Sequence, residues 1–140
     1  MKIETIMTRR VVTVGMDATL DVIHQVFERK RFRHLLVTES NRLIGVISDR
    51  DLLKELSPNV LRGVPTERES FQLRRHAHQI MTRNPFCLGK DAKLKEAINL
   101  FLQKKISCIP VVDGEKQVLG IVTMGDVFKC IVELQKNTQN

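Results

Sequence analysis

The stretch "GVISDRDL" (residues 45–52) ends an apolar run at a serine and places an aspartate three residues later. The same arrangement returns as "GIVTMGDV" (residues 120–127). The apolar run reads as a strand. The hydroxyl followed by an acid one turn later reads as a helix start, with the acid where the helix dipole favours negative charge. Each motif is therefore a strand-to-helix turn. The same turn suits a nucleotide, because unsatisfied first-turn N–H groups attract a phosphate and a carboxylate accepts from sugar hydroxyls.

The repetition extends outward from these motifs. "IMTRRVVTV" (6–14) matches "IMTRNPFCL" (80–88), and "DATLDVIHQVF" (17–27) matches "DAKLKEAINLF" (91–101). "FRHLLV" (32–37) matches "ISCIPV" (106–111), and "RLIGVISDRDL" (42–52) matches "QVLGIVTMGDV" (117–127). Copy two carries one extra residue in the turn after Val111, where an insertion is best tolerated. Each copy reads as a short extended piece (11–14; 85–88), a helix, two strands around a polar turn, and a last helix. In the first helices, Leu20, Ile23 and Phe27, and Leu94, Ala97, Ile98 and Phe101, recur at helical spacing. Asp17 or Thr19, and Asp91, are their expected caps. The strands are 35–37 with 43–47, and 109–112 with 118–122.

The fold class is thus α+β, a β-α-β-β-α unit occurring twice. A unit of about 50 residues covers both faces of its sheet poorly. The two copies are expected to pack sheet to sheet as one pseudo-two-fold module. The boundaries are motif 1 at 1–56, a connector at 57–79, motif 2 at 80–134 and a polar tail at 135–140. Within the connector, Ser57-Pro58 and Gly63-Val64-Pro65 break structure. Thr66-x-x-Glu69 then has the form of a capping box and predicts a short helix leading into motif 2.

Composition removes several function classes. The net charge of +7 is spread along the chain, apart from "RKRFR" (29–33). With no Trp and no Tyr to stack on bases, the charge disfavours a nucleic-acid groove but still favours small anions. No apolar run reaches the roughly 20 residues of a membrane span, and "MKIETIMTRR" has no signal-peptide core. Cys87, Cys108 and Cys130 are widely spaced and read as reduced thiols of a cytoplasmic protein. His76 and His78 lack a metal-spaced partner and are expected to face solvent. No Walker loop, G-x-S-x-G or GxGxxG is present. No catalytic residue, no metal ligand and no enzymatic activity are expected.

The doubled unit, opened by "IMT" and carrying "IPVVDGE" and "GIVTMGDV", resembles a pair of CBS motifs, also called a Bateman module. The resemblance covers nearly the whole chain outside the connector and the last dozen residues. Copy one departs from the pattern at Leu36, where a proline often stands. The resemblance implies a regulatory module that binds AMP, ADP or ATP, with S-adenosylmethionine or NAD behind them, in clefts between the motifs. No cofactor is required. Output would pass through a homodimer or an unidentified regulated protein. The alternatives are an unliganded interaction module and, third, a nucleic-acid-binding member of the family.

The resemblance assigns ribose to Asp51 and Asp126, and phosphate or ribose to Ser48 and Thr123. Basic side chains at the middle-strand entry reach phosphates in the family. On that basis Arg33 and His34, joined by Arg50, converge on an anion near Ser48. Copy two has Ser107-Cys108 and Gly125 at those positions. The adenine-lining candidates are Val12, Val14, Phe86, Leu88, Val46, Ile109 and Pro110. The Asp51 site is therefore expected to take the phosphorylated ligand.

Overall fold

The computed structural model describes residues 1–30, 32–56, 58, 62–63 and 66–139. Arg31 of the basic cluster, and Ser57, Val64 and Pro65 of the connector, lie outside the described residues. The chain forms two compact units, Val12–Asn84 and a split unit made of Met1–Val11 with Pro85–Asn140.

In the Val12–Asn84 unit, β1 (Thr13–Val14), α1 (Leu20–Lys30), β2 (His34–Glu39), β3 (Arg42–Ser48) and α2 (Asp49–Glu55) follow the predicted order. Helices α3 (Glu67–Gln72) and α4 (Ala77–Ile80) and strand β4 (Thr82–Arg83) complete it. The sheet order is β1-β2-β3-β4, with β1 parallel to β2 and the other pairs antiparallel. The β2–β3 turn is two residues, Ser40 and Asn41, both at positive φ, the twist that matches a tight hairpin.

The split unit contains a 3₁₀ turn (Ile3–Thr5), β5 (Leu88–Gly89), α5 (Leu94–Gln103), β6 (Cys108–Val112), β7 (Val118–Thr123) and α6 (Met124–Gln139). Its sheet order is β5-β6-β7, with β5 parallel to β6 and β6 antiparallel to β7. The longer copy-two turn closes on Asp113, whose Oδ1 accepts from the N–H groups of Glu115 and Gln117 at 2.9 and 2.8 Å. The expected α+β class and the repeated β-α-β-β-α order are both observed.

The leaders of the two repeats are exchanged between the units. The "IMT" of copy one lies in the split unit: Thr8 and Ile121 trade backbone bonds of 2.8 and 2.9 Å. The "IMT" of copy two lies with copy one: Thr82 and Arg83 pair with Val46 and Gly45. The cores follow suit. Leu20, Ile23, Leu35, Val37, Ile47 and Leu52 pack with Ala77 and Met81, whereas Ala97, Ile109, Val111, Val122 and Val127 pack with Ile3 and Met7.

A glycine receives each leader. A Cβ on Gly45 would lie 2.5 Å from Met81 Sδ, and one on Gly120 would lie 2.7 Å from the Thr8 carbonyl oxygen. Contacts that short force something to shift: at Gly120 the obstacle is backbone, so close approach confines the position to glycine, whereas at Gly45 it is a flexible methionine side chain that can give.

The first helices are not capped by the side chains expected from sequence. The free N–H groups of Leu20 and Asp21 donate to the carbonyls of Arg75 and Leu73 at 3.0 and 3.2 Å. The Leu94 N–H donates to the Met1 carbonyl at 2.9 Å. Thr19 turns its hydroxyl to the Asp21 carboxylate, and Asp91 pairs with Lys2 at 3.1 Å on the surface. Backbone from the segments that precede the exchanged leaders supplies what an Asp or Thr cap would have supplied.

The Thr66–Glu69 box forms as predicted, with bonds of 3.2 and 3.3 Å. His76 and His78 differ from expectation. They are half-buried and stacked at 5.5 Å, with His76 Nδ1 2.8 Å from the Asp17 carbonyl oxygen. Among the described residues no disulfide joins the three cysteines, and Cys108 and Cys130 are buried.

Candidate functional site

Both S/T-x-x-D motifs form a reciprocal box at the end of a strand. In copy one the Ser48 N–H donates to Asp51 Oδ2 at 3.0 Å, and the Asp51 N–H donates to Ser48 Oγ at 3.1 Å. Asp51 is half-buried. Its Oδ1 carries no bond among the described residues and remains an available acceptor. In copy two the Thr123 N–H donates to Asp126 Oδ2 at 2.9 Å, and the Asp126 N–H donates to Thr123 Oγ1 at 3.2 Å.

The two acids differ in what else they hold. The Thr8 hydroxyl of the exchanged leader lies 3.2 and 3.4 Å from Asp126 Oδ1 and Oδ2. Among the described residues no equivalent bond joins Thr82 to Asp51. Thr8 was not singled out from the sequence. Its only signal there is the third letter of the repeated "IMT", and its partner is 118 positions away.

The copy-one turn departs from the expectation of open N–H groups. The Asp49 N–H donates to the Arg33 carbonyl at 2.8 Å, the Arg50 N–H donates to Asp49 Oδ1 at 2.8 Å, and the Asp51 N–H donates to Ser48. These three first-turn donors are spent inside the protein. Any anion bound there must be neutralised by side chains.

Those side chains are gathered by the β2–β3 register. His34 stands directly opposite Ser48, with Arg33 preceding it. His34 is half-buried, and burial pushes its imidazole pKa below 6.5; Asp49 and Asp51 pull it up and Arg33 pushes it down. Arg33 and Arg50 are exposed, and the Arg50 guanidinium makes no bond among the described residues. In copy two, Cys108 stands opposite Thr123, so no charge enters at that place.

The adenine-lining candidates divide between the units. Val12, Val14 and Val46 belong with Ser48 and Asp51 and are half-buried. The Val12 carbonyl already accepts from Leu36 N–H at 3.0 Å. Phe86, Leu88, Ile109 and Pro110 belong with Thr123 and Asp126. Phe86 is exposed, with the Lys104 ammonium 5.2 Å from its ring centre, and Leu88 is half-buried. Ile109 and Pro110 are fully buried, and Ile109 packs inside the apolar cluster. A hollow of about 380 Å³ is lined by Leu88, Ala92, Val112 and Leu119 among others. It lies at the Val112 end of β6, away from the Cys108–Thr123 end that carries the acid. No helix among the described residues is long and apolar enough to cross a membrane.

Comparison with known proteins places this geometry in a family. The CBS domain model matches residues 3–58 and 77–133. The chain is 27% identical over 145 residues to the chloroplastic CBS domain-containing protein CBSX2 of Arabidopsis thaliana, covering 91% of this chain and 61% of that protein. The solved structure of CBSX2 in complex with AMP superposes with a TM-score of 0.79 at 26% identity, covering 96% of this chain and 98% of that one. Protein MJ1225 of Methanocaldococcus jannaschii superposes at 0.80 with 27% identity, covering 93% of this chain and 47% of that one. Arabinose 5-phosphate isomerase KdsD of Francisella tularensis is 34% identical over 94 residues, 67% of this chain. The chain spans 26%, 47% and 23% of three curated relatives, the isomerase, MJ1225 and an inosine-5'-monophosphate dehydrogenase. The chain belongs to the CBS-domain family and has the two-motif fold of its CBS-pair structures.

Proposed function

We propose that the protein is a non-catalytic regulatory module that binds an adenine nucleotide, AMP first among AMP, ADP and ATP, through its copy-one motif. The observation that carries the reading is the Asp51 carboxylate: Ser48 fixes one oxygen and the other stays open. That oxygen accepts from the ribose hydroxyls, and Ser48, Arg33, His34 and Arg50 surround the phosphate. The CBSX2 chain solved with AMP is matched over 98% of its length, which supports this ligand class. Because the first-turn N–H groups are occupied, selectivity for a phosphorylated ligand rests on the three basic side chains. Output runs through a homodimer or a separate regulated protein, for which Phe128, Ile131 and Val132 of α6 supply exposed apolar surface.

The Thr8–Asp126 bond favours a different state for copy two. Its acid is already engaged, so this site is vacant, or takes a less charged adenosine compound that displaces Thr8. Thermal shift against AMP, ADP, ATP, NAD and S-adenosylmethionine tests the reading. A specific rise with AMP that disappears in Asp51→Ala is expected. No rise with any of the five at millimolar concentration removes it.

A further inference from the structure

The two copies differ in chemistry at one cross-strand pair, His34 opposite Ser48 against Cys108 opposite Thr123. Among the described residues, the charged groups that act on the His34 ring are Asp49 and Asp51 on α2 and Arg33 at the entry of its own strand. In the free protein burial dominates and keeps the imidazole neutral to lower pH than usual. A neutral imidazole offers a single N–H donor, whereas the protonated ring offers two and a charge. A phosphate beside it reverses the balance, because a neighbouring anion favours the charged form.

We propose that binding of a phosphorylated adenosine ligand to the copy-one site is coupled to uptake of one proton by His34, whereas the copy-two site, with Cys108 in the equivalent place, binds without this coupling. The inference rests on the nucleotide-binding reading above. The proton comes from solvent and no covalent bond changes. Free His34 is mostly neutral near pH 7 and the bound ring is charged, so affinity rises as pH falls. The gain is limited to about tenfold per pH unit for one proton. The ligand determines the effect: adenosine occupies the ribose-binding acid but brings no anion to His34. The coupling therefore makes the site prefer phosphorylated over unphosphorylated ligand more strongly in mild acid.

The test is calorimetric titration of the whole protein with AMP, and separately with adenosine, between pH 6 and 8 in two buffers of different ionisation enthalpy. The second ionisation of a phosphate monoester, near about 6, acts in the opposite sense, so the comparison is between wild type and His34→Gln. The expected result is a net proton uptake with AMP in the wild type that is lost in His34→Gln and in Asp51→Ala and is absent with adenosine. His34→Gln must retain the wild-type melting transition; its AMP affinity is expected to fall, so proton counts are compared per mole of AMP bound at saturating ligand, which separates lost coupling from lost folding. AMP binding whose proton count is unchanged by His34→Gln overturns the coupling and leaves the nucleotide reading intact. Failure of both AMP and adenosine to bind overturns both.

Discussion

Replacing Gly120 by alanine tests the leader exchange directly. The added Cβ meets the Thr8 carbonyl oxygen at 2.7 Å and Met7 Sδ and Cγ at 3.0 and 3.3 Å. The sulfur can move, but the Thr8 backbone cannot withdraw without breaking its two bonds to Ile121. Overpacking of this kind costs about 1–3 kcal/mol, and two lost backbone bonds add about 1 kcal/mol each. The expected destabilisation is about 3 kcal/mol, a fall in Tm of roughly 9 °C for a chain of this size. Gly45→Ala is the internal control. Its closest contacts are Met81 Sδ and Cγ at 2.5 and 2.9 Å, with the Thr82 carbonyl at 3.0 Å. A methionine side chain adapts readily, so this change should cost only about 1 kcal/mol. Equilibrium urea unfolding of both variants reads the difference. Gly120→Ala within about 0.5 kcal/mol of wild type, inside the range of ordinary surface substitutions, or a larger loss at Gly45 than at Gly120, would refute the close approach of the leader to β7.

Three further outcomes follow from the same contacts. Deleting residues 1–8 removes Ile3 and Met7 from the split-unit core, at about 2–5 kcal/mol for each buried side chain lost; hydrogen exchange should show protection lost in β6 and β7 before β2 and β3. Thr8→Val removes an exposed hydroxyl bond to Asp126, with a stability loss of about 1 kcal/mol or less, and any adenosine binding at copy two should tighten because the acid is released; unchanged or weaker binding contradicts competition by Thr8. His34 has a folded-state pKa below its ordinary 6.5 through burial, so the unfolded chain binds the extra proton. Its contribution to stability is therefore full above about pH 6.5 and declines as pH falls towards the folded value; the difference in unfolding free energy between wild type and His34→Gln, followed from pH 7.5 to 5, should show this slope.

The sequence by itself determined the elements and their order. The apolar strands ending at Ser48 and Thr123, the 3.6-residue spacing of Leu20, Ile23 and Phe27, and the Thr66–Glu69 box are local patterns, and local hydrogen bonding and burial made them real. The boxes at Ser48–Asp51 and Thr123–Asp126 were legible for the same reason, since each closes over three residues. Only the tertiary structure decided which copy each leader serves. Ile3 and Met7, and Ala77 and Met81, are equivalent residues, and each copy offers the same glycine to receive them, so nothing local chooses between the two hosts. That choice replaced the expected side-chain caps of α1 and α5 with backbone carbonyls and brought Thr8 to Asp126. Thr82, placed the same way beside copy one, makes no bond to Asp51 among the described residues, so two motifs that read alike in sequence differ in what they can bind.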